Sequence, residues 1–283
     1  MFELSINTQK CVFCKACIES CPTKKWQEGN NHKAEINSNR CVYCYNCVSV
    51  CPVEAISAST GHRKPLLHIS TAPEIFENFL KTRRTCRAFD TRDIPEEILQ
   101  MIIRNAKYAP SKSNRHNVKF TVMKGEAIKN LGIGVKAFLR RLLNITRKKI
   151  YRILLLTFSK SEDSAIYSNE FINTVGEILK ESEHDRLFFQ APCVILVHAD
   201  KHGIFLSEEG WMHALQICLT AHAYGIGTAL SMLIPVGIDK NIKLKKAIGL
   251  TKNDRVIAAV LIGYPKYKHY LEVYREDPEI HYF

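Results

Sequence analysis

The segment CVFCKACIESCP (Cys11–Pro22) is written a second time as CVYCYNCVSVCP (Cys41–Pro52), at a 30-residue period. Both copies follow C-x2-C-x2-C-x3-C-P, and together they hold eight of the chain's eleven cysteines. Three thiolates two residues apart on one tight loop can cap three corners of an iron–sulfur cubane. In this bacterial-type spacing the fourth cysteine of each run ligates the other run's cluster. Cys11, Cys14, Cys17 and Cys51 are therefore assigned to one [4Fe-4S] cluster, and Cys41, Cys44, Cys47 and Cys21 to a second.

Other cysteine chemistries fit this pattern poorly. A disulfide framework suits a small secreted domain, but Met1 to Lys10 holds no apolar core of signal-peptide length. Zinc sites pair two C-x2-C units across a longer gap and rarely use three cysteines in succession twice. A reducing, oxygen-poor, cytoplasmic setting is expected.

Working outward, the 283 residues have room for one small and one medium domain. The reading places a cluster domain over residues 1–60, a linker over 61–72 and a second domain over 73–283. Ser57 to Pro65 marks the change, being poor in apolar residues and holding Ser, Thr, Gly and Pro. Six basic and five acidic residues precede position 61, so all but about one unit of the formal +12 charge lies in the second domain. Nucleic acid is not expected as a partner, because no zinc-finger, RNP or helix-turn-helix signature accompanies that charge. An acidic ferredoxin or flavodoxin is an equally natural electrostatic match.

No apolar run reaches the ~18–20 residues of a spanning helix. Residues 127–161 carry nine Lys or Arg and no acid, with Phe138, Leu139, Leu142, Leu143 and Ile145 at near-helical spacing. The favoured reading is a surface helix or lid with a solvated basic face, and the alternative is a helix lying on an anionic membrane. The longest apolar run, Ile153 to Phe158, reads as a buried element.

In the second domain, helices are predicted from Pro73, over Pro95–Tyr108 and over Glu208–Tyr224. Strands are predicted over Phe120–Met123, Val194–Ala199 and Val256–Ile262. The alternation makes this domain α/β or α+β. It has no Rossmann fingerprint, P-loop or nucleophile elbow. What stands out is RRTCRAFD (Arg83–Asp90), in which Arg83 and Arg87 lie four apart around a hydroxyl at a helix end. That arrangement suits a phosphate, although a solvated basic turn would read the same way.

The succession of motifs is more specific than any one of them. R-x-[ST]-x-R-x-F is followed by P-E-E and a helix, then Tyr108 to Asn114, Gln190-Ala191-Pro192, Tyr224 to Thr228, and Ile262-Gly263-Tyr264-Pro265. Residues 74–283 resemble the FMN-dependent nitroreductase family, and with the cysteine-rich front end the whole chain is similar to the ferredoxin-fused nitroreductases. The resemblance implies an α+β fold: a 2[4Fe-4S] ferredoxin-like domain followed by an α/β sandwich around a mixed, mainly antiparallel sheet. It also implies that Arg83, Arg84, Thr85 and Arg87 bind the phosphate and ribityl chain of FMN. Pro110, Ser111, Lys112, Ser113 and Asn114 would form the loop against the flavin's edge. The backbone of Leu230, Ser231, Met232 and Leu233 would face its redox-active nitrogen, and Arg275 would return to the phosphate. Family members are homodimers with FMN at the interface.

Cys86 and the pair His116-Asn117 depart from the family pattern. Cys86 stands where a small or aliphatic residue is common and is read as buried packing. His116-Asn117 replace a common Gln-Pro-Trp. The implied function is reductive: electrons pass from the clusters to FMN and on to a nitroaromatic, quinone or activated alkene. Clusters at about −400 mV or below make that direction downhill. The cofactors carry the chemistry, so no catalytic acid or base is expected. A second reading is an electron-transfer module serving a protein acceptor. A third, a redox sensor, lacks a recognisable output domain.

Overall fold

The fold is that of a computed structural model describing residues 4–37, 41–42, 44–59, 72–146, 169–180, 185–270, 273 and 275–283. The expected linker, apart from Ala72, and the run Ile153–Phe158 lie outside the described residues. The chain divides into two units. One comprises Met1–Thr71 with Ser111–His116, and the other Ala72–Pro110 with Asn117–Phe283.

In the first unit, β1 (Leu4–Ile6) pairs antiparallel with β4 (Ile56–Ala58), and β2 (Trp26–Glu28) with β3 (Ala34–Ile36). Each cysteine run carries one turn of helix, α1 (Ala16–Glu19) and α2 (Asn46–Ser49). The repeat persists in the backbone. Lys15 and Tyr45 precede the two helices at φ 62° and 60°, and Lys24 and Glu54 both stand at φ 50°. Such left-handed residues turn the chain tightly enough for the cysteines of a run to face a common space. Cys11, Cys17, Cys47, Trp26, Ala34, Ala55 and Ile56 form the small core.

The second unit is built on a four-stranded sheet of order β5-β6-β8-β7. Its strands are β5 (Lys119–Lys124), β6 (Cys193–Asp200), β7 (Gly227–Ser231) and β8 (Asp254–Gly263). All three strand pairings are antiparallel, and a single parallel bridge joins Thr85 to Thr228 at the β7 edge. On β6, Cys193, Ile195 and Val197 face one side while Val194 and Leu196 face the other. On β8, Ala258, Val260 and Ile262 oppose Ala259 and Leu261. Both faces are covered, so these strands read as unbroken apolar runs.

One face is covered by α4 (Glu96–Ala106) and α7 (Leu206–Ala223), through Leu99, Ile102, Ala214 and Ile217. Gly210 lets α7 approach closely, since a Cβ there would lie 2.5 Å from Ile257 Cγ2. The other face carries α5 (Glu126–Thr146), α6 (Asn169–Leu179), α8 (Leu233–Asp239) and α9 (Ile242–Ala247). Leu131, Val135, Leu139 and Leu143 of α5 are buried in this core, while Lys129, Arg140 and Arg141 are exposed. The apolar stripe of the basic segment, as far as it is described, is therefore spent on the sheet. Among the described residues no helix is long and apolar enough to cross a membrane.

In contrast, α3 (Pro73–Thr82) buries nothing: Ile75, Phe76 and Leu80 are all exposed. A polar cluster sits at the β5/β6/β8 end of the sheet. His198 is buried, with Nε2 3.0 Å from Thr121 Oγ1 and Nδ1 3.5 Å from Asp254 Oδ1. Asp254 Oδ2 accepts from the amide and hydroxyl of Thr251 at 2.8 and 2.7 Å.

Candidate functional site

The structure sorts the eight cysteines of the repeat into two cavities that open to solvent. Cys21, Cys41, Cys44 and Cys47 line the first, and Cys11, Cys14, Cys17 and Cys51 line the second. The thiols ring these spaces instead of meeting at one point. Among the described residues no three Cys, His, Asp or Glu side chains converge as ligands of a single ion. A donor set of four soft sulfurs around an open volume fits a multi-iron cluster.

The fourth cysteine of each run is held by the backbone that follows it. The amide of Lys25 donates to Cys21 Sγ and that of Ala55 to Cys51 Sγ, both at 3.1 Å. Burial pushes the Cys17 thiol up to about 11, with Cys14 and Cys11 adding to the rise. Burial also raises Cys21, but the Lys25 amide and the Thr23 hydroxyl, 3.6 Å from its sulfur, more than reverse the effect and leave it below the ordinary value. Cys47 is raised by burial, against the pull of the Trp26 indole N–H. That indole is buried, 2% exposed, and its Nε1 has no hydrogen-bond partner of normal geometry. An indole nitrogen only donates, and a buried donor without an acceptor is costly. The cavity therefore fits a group that presents sulfur to it.

In the second unit the arginine-bearing segment is pinned main chain to main chain along the sheet edge. Cys86 N donates to Thr228 O at 2.8 Å, Asp90 N to Tyr264 O at 2.8 Å, and Lys266 N to Ala88 O at 3.0 Å. Close approach is possible because Gly227 and Gly263, which face each other across β7 and β8, have no side chains. A Cβ on Gly227 would lie 2.8 Å from Cys86 Cβ, and one on Gly263 2.6 Å from Pro192 Cδ and 2.9 Å from Phe89 Cδ1. Cys86 is buried, its sulfur 3.2 Å from Ala88 O, and burial raises its pKa. It serves as packing under the clamp.

The clamp brings Arg83, Arg84, Thr85 and Arg87 beside Gly227–Ser231. Arg83 and Arg84 are half-buried, and Thr85 and Arg87 are exposed. Arg83 lies close to the end of α7. Burial lowers the pKa of His222 and the Arg83 charge lowers it further, against a backbone hydrogen bond to Phe79. His222 Nε2 is 2.9 Å from Thr82 Oγ1. β7 is the last strand of the sheet and runs into α8 through Leu230, Ser231, Met232 and Leu233. Leu230 and Met232 are 44% and 68% exposed, which leaves a small apolar shelf beside the arginines. An edge strand also offers main-chain groups that no neighbouring strand takes.

The other expected contacts are placed less tightly. Pro110 is exposed and falls in the second unit, while Ser111, Lys112, Ser113 and Asn114 fall in the first. Ser113 and Asn114 take φ values of 50° and 55°, His116 Nε2 lies 2.8 Å from Asn114 Oδ1, and the amide of His116 donates to Ser111 Oγ at 3.2 Å. Arg275 is exposed near the C-terminal end. Sequence reasoning singled out Gly227 and Thr228 only as part of the Tyr224–Thr228 motif, without a docking role, and missed His222. A histidine in the last turn of a helix gave no sign that a distant segment docks there.

With this geometry in place, comparison with known proteins is decisive. Residues 80–264 match the model of the nitroreductase family. The chain belongs to the nitroreductase family. Residues 3–52 of this nitroreductase-family chain match the 4Fe-4S dicluster domain, so the molecule is a fusion of the two. Its fold is shared by a nitroreductase with bound FMN from Bacteroides fragilis, at 19% identity, 73% coverage of this chain, 96% of that one and a TM-score of 0.52. An FMN-bound nitroreductase from Desulfitobacterium hafniense gives 22%, 72%, 96% and 0.50. The iodotyrosine dehalogenase 1 homolog of Caenorhabditis elegans is 34% identical over 58 residues, covering 20% of this chain. That match spans only 18% of the dehalogenase homolog.

Proposed function

We propose that the protein is an iron–sulfur flavoprotein oxidoreductase of the cytoplasm that passes electrons from two [4Fe-4S] clusters to FMN and on to a small organic acceptor. The observation that carries this reading is the partition of eight cysteines into two four-cysteine cavities, in a chain whose larger part has the nitroreductase fold. The clusters would supply single electrons and the flavin would store two. Cys11, Cys14, Cys17 and Cys51 hold one cluster, and Cys41, Cys44, Cys47 and Cys21 the other. The ferredoxin-like domain spans 1–60, and the flavin domain begins at 73 after a linker.

Arg83, Arg84, Thr85 and Arg87 grip the phosphate arm of FMN from the β7 edge. Arg275 supports the same phosphate, and Pro110 borders the ring. The shelf at Leu230 to Leu233 offers backbone donors and apolar contact to the flavin. The exposed apolar residues of α3, with Tyr267, Tyr270, Ile280, Tyr282 and Phe283 near the C-terminal end, support a homodimer, because so much uncovered apolar surface fits an interface. Nitroaromatics, quinones and activated alkenes are the acceptor classes, and an acidic ferredoxin, a flavodoxin or NAD(P)H is the donor.

An anaerobic spectrum with iron and flavin quantitation tests this directly. About eight irons and one FMN per chain, both chromophores bleaching on reduction, is the expected result. Iron without flavin would remove the flavoprotein reading. Rapid flavin reduction by reduced ferredoxin without turnover of any small acceptor would indicate a protein acceptor instead.

A further inference from the structure

The two cysteine runs are near-copies, yet their surroundings differ at two positions that face sulfur. Aligning Cys21 with Cys51 sets Thr23 against Val53 and Trp26 against Ile56. Both repeats supply the same backbone donor, the amides of Lys25 and Ala55, at the same 3.1 Å. Each cavity also has one lysine in its wall, Lys25 in one and Lys15 in the other, so charge at the rim is matched to first order. The side-chain donors are not matched. The Thr23 hydroxyl lies 3.6 Å from Cys21 Sγ, and the buried Trp26 Nε1, in the wall of the same cavity, is directed at the Cys47 sulfur without a protein hydrogen bond of normal geometry. Valine and isoleucine can donate nothing at the corresponding places.

From this difference we infer that Thr23 and Trp26 donate to the sulfur shell of the cluster held by Cys21, Cys41, Cys44 and Cys47, and set its reduction potential above that of its twin. Hydrogen bonds to cluster and thiolate sulfur stabilise the added negative charge of the reduced form, and so raise the potential. The inference rests on the two-cluster reading above. Lys33, which donates to Cys11 O beside the other cavity, works in the opposite direction. It bonds a carbonyl oxygen and is partly exposed, whereas the indole N–H is dry and faces sulfur, so the direct donors prevail. At one electron per chain, one cluster is reduced from the 2+ to the 1+ core while its twin stays oxidised. A one-electron carrier of the ferredoxin class supplies that electron.

The test is a potentiometric titration of the full holoprotein followed by low-temperature EPR of the reduced clusters. Two waves are expected, separated by at least the 59 mV that corresponds to a tenfold one-electron preference. Thr23→Val keeps the shape of the side chain and removes the donor, and Trp26→Phe removes the donor while keeping an aromatic ring; each should lower the upper wave while leaving the lower one in place. Val53→Thr should raise the lower wave and narrow the gap. Coincident waves in the unaltered protein, or an upper wave indifferent to both donor deletions, would overturn the inference while leaving the two clusters intact. An iron content near four per chain would instead remove the two-cluster reading on which it stands.

Discussion

Gly227→Ala is a small substitution at the point where the whole flavin-binding clamp is fastened. The new methyl would lie 2.8 Å from Cys86 Cβ, 3.0 Å from Cys86 Sγ and 3.4 Å from Gly263 O. Rotating the cysteine side chain cannot relieve the first contact, because a Cβ moves only with its backbone. The Arg83–Arg87 segment must lift from β7, stretching the 2.8 Å bond from Cys86 N to Thr228 O, or β7 must shear against β8. Overpacking of this kind costs about 1–3 kcal/mol. Taking about 2 kcal/mol, and about 2–4 °C per kcal/mol for a domain of this size, melting should fall by about 4–8 °C. If half or more of that strain appears as a displaced phosphate grip, FMN affinity falls about five- to thirtyfold, at about 1.4 kcal/mol per decade.

Thermal release of FMN fluorescence and equilibrium FMN binding read the two effects separately. Cys86→Gly combined with Gly227→Ala opens the space again, so the pair should be less damaging than the two single costs added, by more than about 0.5 kcal/mol of coupling. A Gly227→Ala protein that melts within about 1 °C of the parent and binds FMN equally well would refute the clamp.

Removing the cations tests the other side of the same site: Arg83→Ala and Arg87→Ala should each weaken FMN about ten- to a hundredfold, as expected for a charge-assisted hydrogen bond, in equilibrium dialysis. Riboflavin, which has no phosphate, should bind both variants as it binds the parent. Cys21→Ala and Cys51→Ala should each cost about four irons, and each should abolish the cluster whose other three ligands lie in the opposite run, as counted by iron assay and EPR. Acid stability follows from His198 and His222, both lowered by burial. Asp254 partly opposes the shift at His198, and Arg83 adds to it at His222. A histidine whose folded pKa lies below its unfolded value leaves stability flat above about pH 7 and erodes it as pH falls below about 6.5, by at most about 1.4 kcal/mol per pH unit per group. Denaturant titrations at pH 7, 6 and 5 should show this slope, and His198→Gln should reduce it. Asp254 has its pKa lowered despite burial, by the hydrogen bonds from Thr251, so its own contribution is lost only as pH falls through the carboxylate range.

Much of the architecture was legible because it is locally encoded. Pro73 starts α3 where expected, Glu96 and Glu97 open α4, and Glu208 to Tyr224 is helix to within two residues. The strand readings at 120–123, 194–199 and 256–262 fall inside β5, β6 and β8. The misses share a cause. β7 has only five residues, lies at the sheet edge and exposes Leu230, so it lacks the apolar signature of β6 and β8. The strands of the cluster unit are three residues each, too short for any periodicity to register. The basic segment was ambiguous because charge pattern alone cannot say which surface an apolar stripe covers.

What the sequence determined by itself is the chemistry that depends on spacing: two cysteine runs whose x2 and x3 gaps suit cubane corners, and a pair of arginines four residues apart at a helix end. A few peptide bonds bound how far apart those groups can lie, whatever the rest of the fold. Tertiary structure alone decided which groups those residues meet. Strand order placed β7 at an edge, two facing glycines let the arginine segment dock there, and the paired repeats turned Trp26 toward sulfur where Ile56 offers only hydrocarbon. Such contacts join residues far apart in the sequence, as Ala88 joins Lys266 and Thr82 joins His222, and they arise only when the buried faces of the sheet fix the register that brings them together.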